Sequence, residues 1–412
     1  MNKSPRLVAL ETLYSIFYDG SYSNIALDKA LSDIKENKAF ISALVYGVTE
    51  RKITLDYFID KYAQGRIKPK VRIVLWLGAY QLLFMDKVPS SASINESVKL
   101  VKEIKQDYYS KLVNAVLHKI DNDRQIPDDL SVKYSVPENL INMWKKQYGE
   151  DVLNEFLPCI NDKPPLFAIP NKKFVNSDEL LYELECDGIL GEAYDEFVLI
   201  ENANDLTDSK AFKNGLFYIE DLSSFNCANA LDALGDDLVL DMCSAPGGKA
   251  FTISQSMNNS GKIYCYDLHE HRLNLIKSSA KRLSIDNIYT DVNDATVYNE
   301  NIPKADKILC DVPCSGFGII RRKPEIRYKD LDSVKDLPQI QYKILETSSR
   351  YLKDGGRIIY STCTLNKKEN ENVVNKFLKD HSGYKLLKDK TVFPSTVGGD
   401  GFYYAIMVKN EN

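Results

Sequence analysis

The sequence predicts a multidomain protein with an all-helical first region, a small α+β module and a C-terminal α/β region. Its 412 residues exceed what one ordinary hydrophobic core accommodates. Apolar residues recur at helical spacing in the first part, whereas short apolar runs alternate with helical patterns in the last part. A turn-rich segment around Pro127 and Pro137 lies between them. We therefore expect domains at residues 1–125, 126–215 and 216–412.

The first region shows helical spacing in two clear stretches, one from Leu7 to Phe17 and one from Ile73 to Leu83. Ser93, with Glu96 three residues later, has the spacing of a capping box and predicts a helix that begins there. Residues 1–120 carry 18 Lys and Arg against 12 Asp and Glu, although the whole chain has a net charge of −5. The densest cluster of cations comprises Lys61, Arg66, Lys68, Lys70 and Arg72. Charge alone fits a phosphate-binding face and a solvated helical surface equally well.

Composition excludes several classes of protein. With 44% apolar and 27% charged residues the chain is typical of folded proteins, and no apolar run approaches the twenty residues of a membrane span. The N-terminal stretch contains Glu11 and Asp19, unlike a signal peptide, so we expect the eight cysteines to be reduced thiols in the cytoplasm. No two cysteines have C-x-x-C spacing and there are four histidines, so we expect no metal site.

The third region predicts a doubly wound parallel sheet. Its short apolar runs, bounded by turns, are Leu238–Leu240, Ile263–Tyr266, Ile308–Cys310 and Ile358–Tyr360. Helical patterns separate them, as in the α/β class of folds. Ligands of such sheets bind at the carboxyl ends of the strands, so the residues that follow each run are candidates for a site.

The loop after the first run predicts a nucleoside-like ligand. It extends from Asp241 to Lys249, and Gly247 and Gly248 allow the backbone to approach a ligand closely. Asp267 ends the second run, where an acidic side chain can bind ribose hydroxyls. The loop has neither the dinucleotide-binding fingerprint nor the P-loop pattern. A tight strand-to-helix turn without a ligand is the alternative.

Two cysteines follow strands that should end at the same edge. Asp311, Pro313 and Cys314 come after the run Ile308–Cys310, and Thr362 and Cys363 come after the run Ile358–Tyr360. We expect both thiols to face one crevice with the loop. Five other cysteines have the sequence contexts of inert packing residues: Cys159, Cys186, Cys227, Cys265 and Cys310.

The loop resembles the Cys-Ser/Ala-Ala-Pro-Gly-Gly-Lys loop of the RNA cytosine-C5 methyltransferases. The resemblance implies that the cofactor is S-adenosylmethionine, with Asp267 on the ribose hydroxyls and Asp294 beside the adenine. The remaining cofactor-binding residues that it implies are Cys243, Ser244, Ala245, Pro246, Gly247, Gly248, Lys249 and Asp311.

A thiol is chemically useful because cytosine C5 is a poor nucleophile until a thiolate adds to C6. Forming that thiolate at neutral pH costs roughly 2 kcal/mol unless the site lowers the thiol pKa. Spacing alone does not decide which cysteine attacks. In the RNA enzymes that the chain resembles, the Thr-Cys cysteine attacks and the Pro-Cys cysteine helps to release product. The resemblance therefore implies Cys363 as nucleophile, Cys314 as its partner and Asp311 on the N3/N4 edge of the base. A DNA enzyme would attack with Cys314 and lack the second cysteine.

The first region resembles the NusB-like RNA-binding domain through three stretches in the same order: 9–13, 44–48 and 110–117. Together with the small α+β module and a Rossmann-like catalytic domain, this resembles the Sun-type (RsmB) small-subunit ribosomal RNA methyltransferases. It implies 16S rRNA as the partner, and we expect a monomer that binds neither DNA nor membranes. The cationic segment 319–328, which contains Arg327 and Tyr328, would clamp RNA phosphates and stack a base. There are two alternatives: the enzyme acts on another RNA, or the protein is a non-catalytic RNA-binding assembly factor.

Overall fold

The computed structural model describes residues 3–202, 206–394 and 398–411. Its internal contacts divide the chain into two compact units. The first comprises Met1–Asp162 together with Ile320–Leu331, and the second comprises Lys163–Ile319 together with Asp332–Asn412. Each unit has a hydrophobic core of its own.

The first unit is helical. Ser4 caps the first helix by accepting a hydrogen bond from the Leu7 amide, and Pro5 occupies the first turn, where its missing N–H costs nothing. Leu13, Leu44 and Trp76 are buried in the core between the longer helices. The α-helices are α1 (Pro5–Tyr18), α2 (Ser23–Leu31), α3 (Lys38–Tyr62), α4 (Pro69–Phe84), α5 (Ser90–Glu103), α6 (Ser110–Asn122), α7 (Leu130–Tyr134), α8 (Glu138–Tyr148) and α9 (Glu150–Phe156). Short 3-10 helices occupy Asp107–Tyr109, Leu157–Asn161 and Pro324–Tyr328.

The capping box predicted at Ser93 is wrong. Helix α5 begins at Ser90, directly after Pro89, and Ser93 lies inside it. The buried Ser93 hydroxyl instead donates to the carbonyl oxygen of Gly78 in α4 at 3.0 Å, and Glu96 pairs with Lys99. The serine is used for contact between two helices, which local spacing does not reveal.

The predicted basic cluster is partly neutralised within the unit. The Lys61 ammonium lies 2.6 Å from an Asp123 carboxylate oxygen, and the Arg72 guanidinium contacts Asp56 at 2.8 Å and Asp60 at 2.6 Å. Such pairs reduce the positive potential of this face, because each cation has an acidic neighbour.

The segment Ile320–Leu331 is built into the first unit, and the predicted RNA clamp is wrong for Arg327 and Tyr328. Arg327 is 1% exposed. Its guanidinium donates to the carbonyl oxygens of Glu50 at 2.9 Å and Ser135 at 3.1 Å and to Asn161 Oδ1 at 2.9 Å. The Tyr328 hydroxyl donates to the Thr49 carbonyl oxygen at 2.7 Å. Both side chains satisfy buried carbonyl groups and are not available to phosphates.

The second unit begins with a small antiparallel sheet. Its strands are β1 (Leu166–Pro170), β2 (Gly191–Ala193), β3 (Val198–Ile200) and β4 (Phe217–Ile219), in the order β2-β3-β1-β4. Helices α10 (Ser177–Cys186) and α11 (Lys210–Lys213) accompany it, with a 3-10 helix at Leu206–Asp208. Asn176 and Glu179 form a capping box at the start of α10.

The rest of the second unit is a seven-stranded mixed sheet with helices. The strands are β5 (Leu238–Asp241), β6 (Lys262–Asp267), β7 (Ile288–Val292), β8 (Ala305–Asp311), β9 (Leu352–Thr362), β10 (Tyr384–Val392) and β11 (Phe402–Lys409). The helices are α12 (Leu222–Asn229), α13 (Gly248–Ser256), α14 (Glu270–Arg282), α15 (Leu337–Ser349) and α16 (Glu371–Asp380), with a 3-10 helix at Leu331–Val334. The strand order is β10-β11-β9-β8-β5-β6-β7. Strands β5 to β9 run parallel, and β11 is antiparallel to both β9 and β10. The predicted fold class, a helical domain followed by a Rossmann-like α/β domain, is confirmed.

The topology brings three strand ends together. Strands β5, β8 and β9 are neighbours, and in their parallel register Asp241 pairs with Leu309 and Asp311 pairs with Ser361. Residues that follow these strands therefore meet at one edge. Among the described residues, no helix is both long and apolar enough to cross a membrane.

Candidate active site

The loop after β5 lines a crevice at this edge. Gly247 has a φ of 107°, a left-handed conformation that favours glycine, and α13 begins at the next residue. The Ser244 amide donates to the Tyr266 carbonyl oxygen at 2.8 Å, which ties the loop to β6. The crevice is lined by Ile219, Glu220, Asp221, Ser224, Asp241, Cys243, Ser244, Ala245, Pro246, Gly248, Lys249 and Asp311.

An ion pair joins the loop to β8. The Lys249 ammonium donates to Asp311 Oδ2 at 2.7 Å, and the Ser361 hydroxyl of β9 donates to Asp311 Oδ1 at 2.8 Å. Burial lowers the pKa of Lys249, but the neighbouring acidic groups, Asp311 foremost, together outweigh burial and hold the pKa above its ordinary value. Lys249 therefore stays a cation, and Asp311 is held between the loop and the strand that leads to Cys363.

Two acids in the crevice have carboxylate oxygens without a partner among the described residues. These atoms are Glu220 Oε1 and Asp241 Oδ1, and both residues are buried. Burial raises the pKa of each carboxyl group to about 7. A ligand that carries N–H or O–H donors, above all a cationic one, would satisfy them. S-adenosylmethionine has an ammonium group, a sulfonium and ribose hydroxyls, so the residues present fit it.

Asp267 and Asp294 lie outside the set of residues that line the crevice. Asp267 ends β6, where its carboxylate is 3.0 Å from the Arg272 guanidinium and accepts the His269 amide at 3.0 Å. Asp294 is exposed in the turn after β7 and accepts from the Thr296 amide at 2.9 Å and its hydroxyl at 2.6 Å. Their cofactor contacts remain a prediction.

The two cysteine sulfurs lie 3.3 Å apart. Cys363 directly follows β9, and Cys314 lies three residues beyond the end of β8. The two loops pack without side chains between them at Gly318, whose amide donates to the Cys363 carbonyl oxygen at 3.0 Å. A Cβ at Gly318 would come within 1.9 Å of the Gly401 carbonyl oxygen. The hydrogen bond with Cys363, then burial, raise the pKa of the Cys314 thiol well above its ordinary value.

Sequence reasoning missed two buried polar residues behind the cysteines, Glu369 and Asn370, both 0% exposed. Glu369 binds the Cys314 loop through Ser315, and Asn370 binds the Cys363 loop through Thr362 and Thr364. Their one sequence signal is position: they directly precede the amphipathic helix α16, where polar residues usually cap a helix. Sequence reasoning also missed Glu220, which is buried and lines the crevice.

Two family models match this chain. The model described as "16S rRNA methyltransferase RsmB/F" matches residues 228–408, and the NusB family model matches residues 3–122. The probable ribosomal RNA small subunit methyltransferase B of Bacillus subtilis (strain 168) is 33% identical over 443 residues, covering 98% of this chain and 99% of that protein.

Two solved structures share this fold, one over nearly the whole chain and one over two thirds of it. The crystal structure of PH0851 is 27% identical with a TM-score of 0.83, and the match covers 99% of this chain and 100% of that one. NSun6 from Pyrococcus horikoshii, solved with SFG (sinefungin), is 21% identical with a TM-score of 0.61, covering 67% of this chain and 99% of that one. The similarity to NSun6 shows a shared fold.

Proposed function

Because this chain belongs to the RsmB (Sun) family of ribosomal RNA small-subunit methyltransferases, we propose that it methylates C5 of a cytosine in 16S rRNA through a covalent cysteine adduct. The family makes it an S-adenosylmethionine-dependent RNA methyltransferase. The base, the atom and the covalent route are the proposal. The observation that carries it is the pair of thiols 3.3 Å apart, which follow the neighbouring strands β8 and β9.

In this proposal the loop from Cys243 to Lys249 holds S-adenosylmethionine, which supplies an electrophilic methyl group when bound. Glu220 and Asp241 accept hydrogen bonds from its ammonium or hydroxyl groups through their unpartnered oxygens. Asp267 and Asp294 complete the nucleoside end of the site, as the resemblance of the sequence implies.

Cys363 is the proposed nucleophile. Its thiolate adds to C6 of the cytosine and forms a C6–S bond, and the electron pair of the C5–C6 bond moves towards C5. C5 can then accept a methyl group, whose bond to the sulfonium sulfur would break and leave that sulfur as a neutral thioether. A base subsequently takes the proton from C5, the C5–C6 double bond re-forms and the C6–S bond breaks, which regenerates the thiolate. Cys314 assists this release, since it contacts Cys363 directly.

Asp311 is proposed to bind the N3/N4 edge of the cytosine. Ser361 and Lys249 orient its carboxylate. A proton shared between Asp311 and N3 would draw electrons from C6 while the thiolate attacks, which lowers the barrier. The target base must leave its stack first, at a cost of a few kcal/mol.

The test incubates wild type, Cys363→Ala and Cys314→Ala with labelled S-adenosylmethionine and 16S rRNA that lacks the modification. We expect Cys363→Ala to transfer no methyl group and form no protein–RNA adduct. Cys314→Ala should accumulate the adduct, because attack proceeds and release fails. Cys186→Ala, at the exposed thiol that ends α10, is the control and should show neither effect.

The other results separate the alternatives. If Cys314→Ala abolishes the adduct and Cys363→Ala does not, the roles of the cysteines are reversed, as in the DNA enzymes. If tRNA or 23S rRNA is labelled and 16S rRNA is not, the substrate is another RNA. A wild-type protein that binds 16S rRNA and cofactor without any transfer would support the non-catalytic alternative.

A further inference from the structure

The carboxylate of Glu369 is a buried acceptor on which several donors converge. Oε2 accepts from the Ser315 amide at 2.8 Å and from Gln341 Nε2 at 2.9 Å. Oε1 accepts from the Ser315 hydroxyl at 2.5 Å and from Asn366 Nδ2 at 2.8 Å. All of these partners are neutral donors. The arrangement suits an ionised carboxylate, because an ionised carboxylate accepts hydrogen bonds and donates none.

Glu369 and its neighbour Asn370 connect both cysteine loops to one turn of the chain. Asn370 Nδ2 donates to the Thr364 carbonyl oxygen at 2.9 Å, and the Thr362 hydroxyl donates to Asn370 Oδ1 at 2.6 Å. Asn370 thus binds the residues on either side of Cys363, whereas Glu369 binds the residue after Cys314. Two adjacent residues therefore set the distance between the two loops.

Hydrogen bonds also join the two cysteine loops to each other directly. The Ser315 and Thr364 hydroxyl oxygens lie 2.7 Å apart, and the Phe317 amide donates to Thr364 Oγ1 at 3.2 Å. Since the single hydroxyl proton of Ser315 is directed to Glu369, Thr364 must donate to Ser315. The acceptor role of Glu369 thereby fixes the direction of the hydrogen bonds between the loops.

We propose that Glu369, with Asn370, is a positioning residue of the reaction: it holds Cys314 against Cys363 and keeps Cys314 a neutral thiol while Cys363 attacks. This inference rests on the proposed function for its catalytic meaning. Charge supports it, since the Cys314 thiol contacts the Cys363 thiol and lies within the electrostatic influence of the Glu369 and Asp311 carboxylates and the Tyr360 hydroxyl. Lys249 neutralises Asp311, whereas the hydrogen-bond partners of Glu369 are uncharged. The charge of Glu369 therefore opposes a thiolate at Cys314.

The first experiment needs neither RNA nor cofactor. In a Cys363→Ala background, the rate of alkylation of Cys314 by iodoacetamide is followed by peptide mass spectrometry from pH 6 to 10. We expect Glu369→Gln to lower the midpoint of the pH profile by about one unit, because a like charge is removed. Ser315→Ala keeps the charge and should leave the midpoint in place. Glu371→Gln, two residues further along, is the matched control and should also leave it in place.

The second experiment measures methyl transfer with the cysteines intact. We expect Glu369→Gln to lower kcat by about 100-fold, since a displacement of about 1 Å in a reacting group has an effect of this size. Ser315→Ala should lower kcat by a smaller factor, and KM for S-adenosylmethionine should be unchanged in both variants. Thermal unfolding of each variant verifies that it is folded.

The outcomes separate this inference from the proposed function. If folded Glu369→Gln keeps the wild-type midpoint, or Ser315→Ala keeps the wild-type kcat, the positioning role is overturned. If Glu369→Gln does not fold, Ser315→Ala and Asn370→Ala still decide whether the link between the loops matters for kcat. A lowered midpoint in a protein that methylates no RNA would sustain the influence on Cys314 and overturn the proposed function.

Discussion

Cys314 and Cys363 are 49 positions apart in the chain, yet their sulfur atoms lie within 3.3 Å. Parallel pairing of β8 and β9 accounts for most of this approach, because the two cysteines follow the carboxyl ends of neighbouring strands. The hydrogen bond between the Ser315 and Thr364 hydroxyls, and the one that the Ser315 hydroxyl donates to Glu369, supply the remainder. The distance is short enough for direct chemistry between the thiols.

Oxidation should therefore join these cysteines. A disulfide requires a sulfur separation of about 2.05 Å, so a shift of roughly 1 Å is sufficient. We expect diamide, which takes two electrons and two protons from a pair of thiols, to link Cys314 to Cys363 and abolish methyl transfer. Peptide mass spectrometry detects the linked peptides, and dithiothreitol should restore activity. Cys186→Ala, at an exposed cysteine, should behave like wild type; diamide inactivation without the linked peptide would contradict this prediction.

The ion pair between Lys249 and Asp311 should contribute to stability. The Lys249 side chain is 13% exposed and that of Asp311 28%, so water screens the pair only in part. We expect Asp311→Ala to lower the free energy of unfolding by about 1–3 kcal/mol, because the Lys249 cation loses its partner. Urea unfolding followed by far-UV circular dichroism measures this. In a double-mutant cycle with Lys249→Met, the losses of unfolding free energy in the two single variants should not add up to the loss in the double variant. Additive losses would show that the pair is not coupled.

Cofactor affinity should weaken as the pH falls through 7. Burial raises the pKa of both Glu220 and Asp241 to about 7, so each takes up a proton between pH 8 and pH 6 and loses the charge that attracts a cationic ligand. For each acid that must be ionised for binding, the affinity should fall about tenfold between pH 8 and pH 6. Isothermal titration calorimetry with S-adenosylmethionine measures the effect. Glu220→Gln should reduce the pH dependence, whereas Glu300→Gln, at an exposed position, should not; equal slopes in both would contradict the role of Glu220.

Arg327 should be essential to the stability of the helical unit. Its removal leaves the carbonyl oxygens of Glu50 and Ser135 with fewer donors in a buried environment. We expect Arg327→Met to lower the free energy of unfolding by about 2–4 kcal/mol. The chain has two tryptophans, Trp76 and Trp144, and both lie in this unit, so their fluorescence in urea reports its unfolding.

The control is Arg66→Met, which also removes one arginine charge, but at an exposed position. It should change the free energy of unfolding by less than about 0.5 kcal/mol. If the two variants lose the same amount of stability, the buried contacts of Arg327 are not what stabilises the unit.

Local patterns in the sequence determined many of the helices and strands of this protein and its family. Helical spacing predicted α1 and α4, and short apolar runs predicted β5, β6, β8 and β9, because burial of apolar side chains imposes these periods on the chain. The resemblance carried by the loop at Cys243–Lys249 and by the two cysteine motifs predicted the family. Such motifs are visible because their residues are adjacent in the chain.

Tertiary structure alone decided how buried polar groups are satisfied. Ser93 looked like a helix cap but donates to the Gly78 carbonyl oxygen. The cations of segment 319–328 looked like an RNA clamp, although Arg327 satisfies carbonyl oxygens of the helical unit. Glu369 showed no motif at all, and yet four hydrogen bonds converge on it. The physical reason is that apolar burial follows a local period, whereas a buried donor or acceptor needs a particular partner that can lie anywhere in the chain.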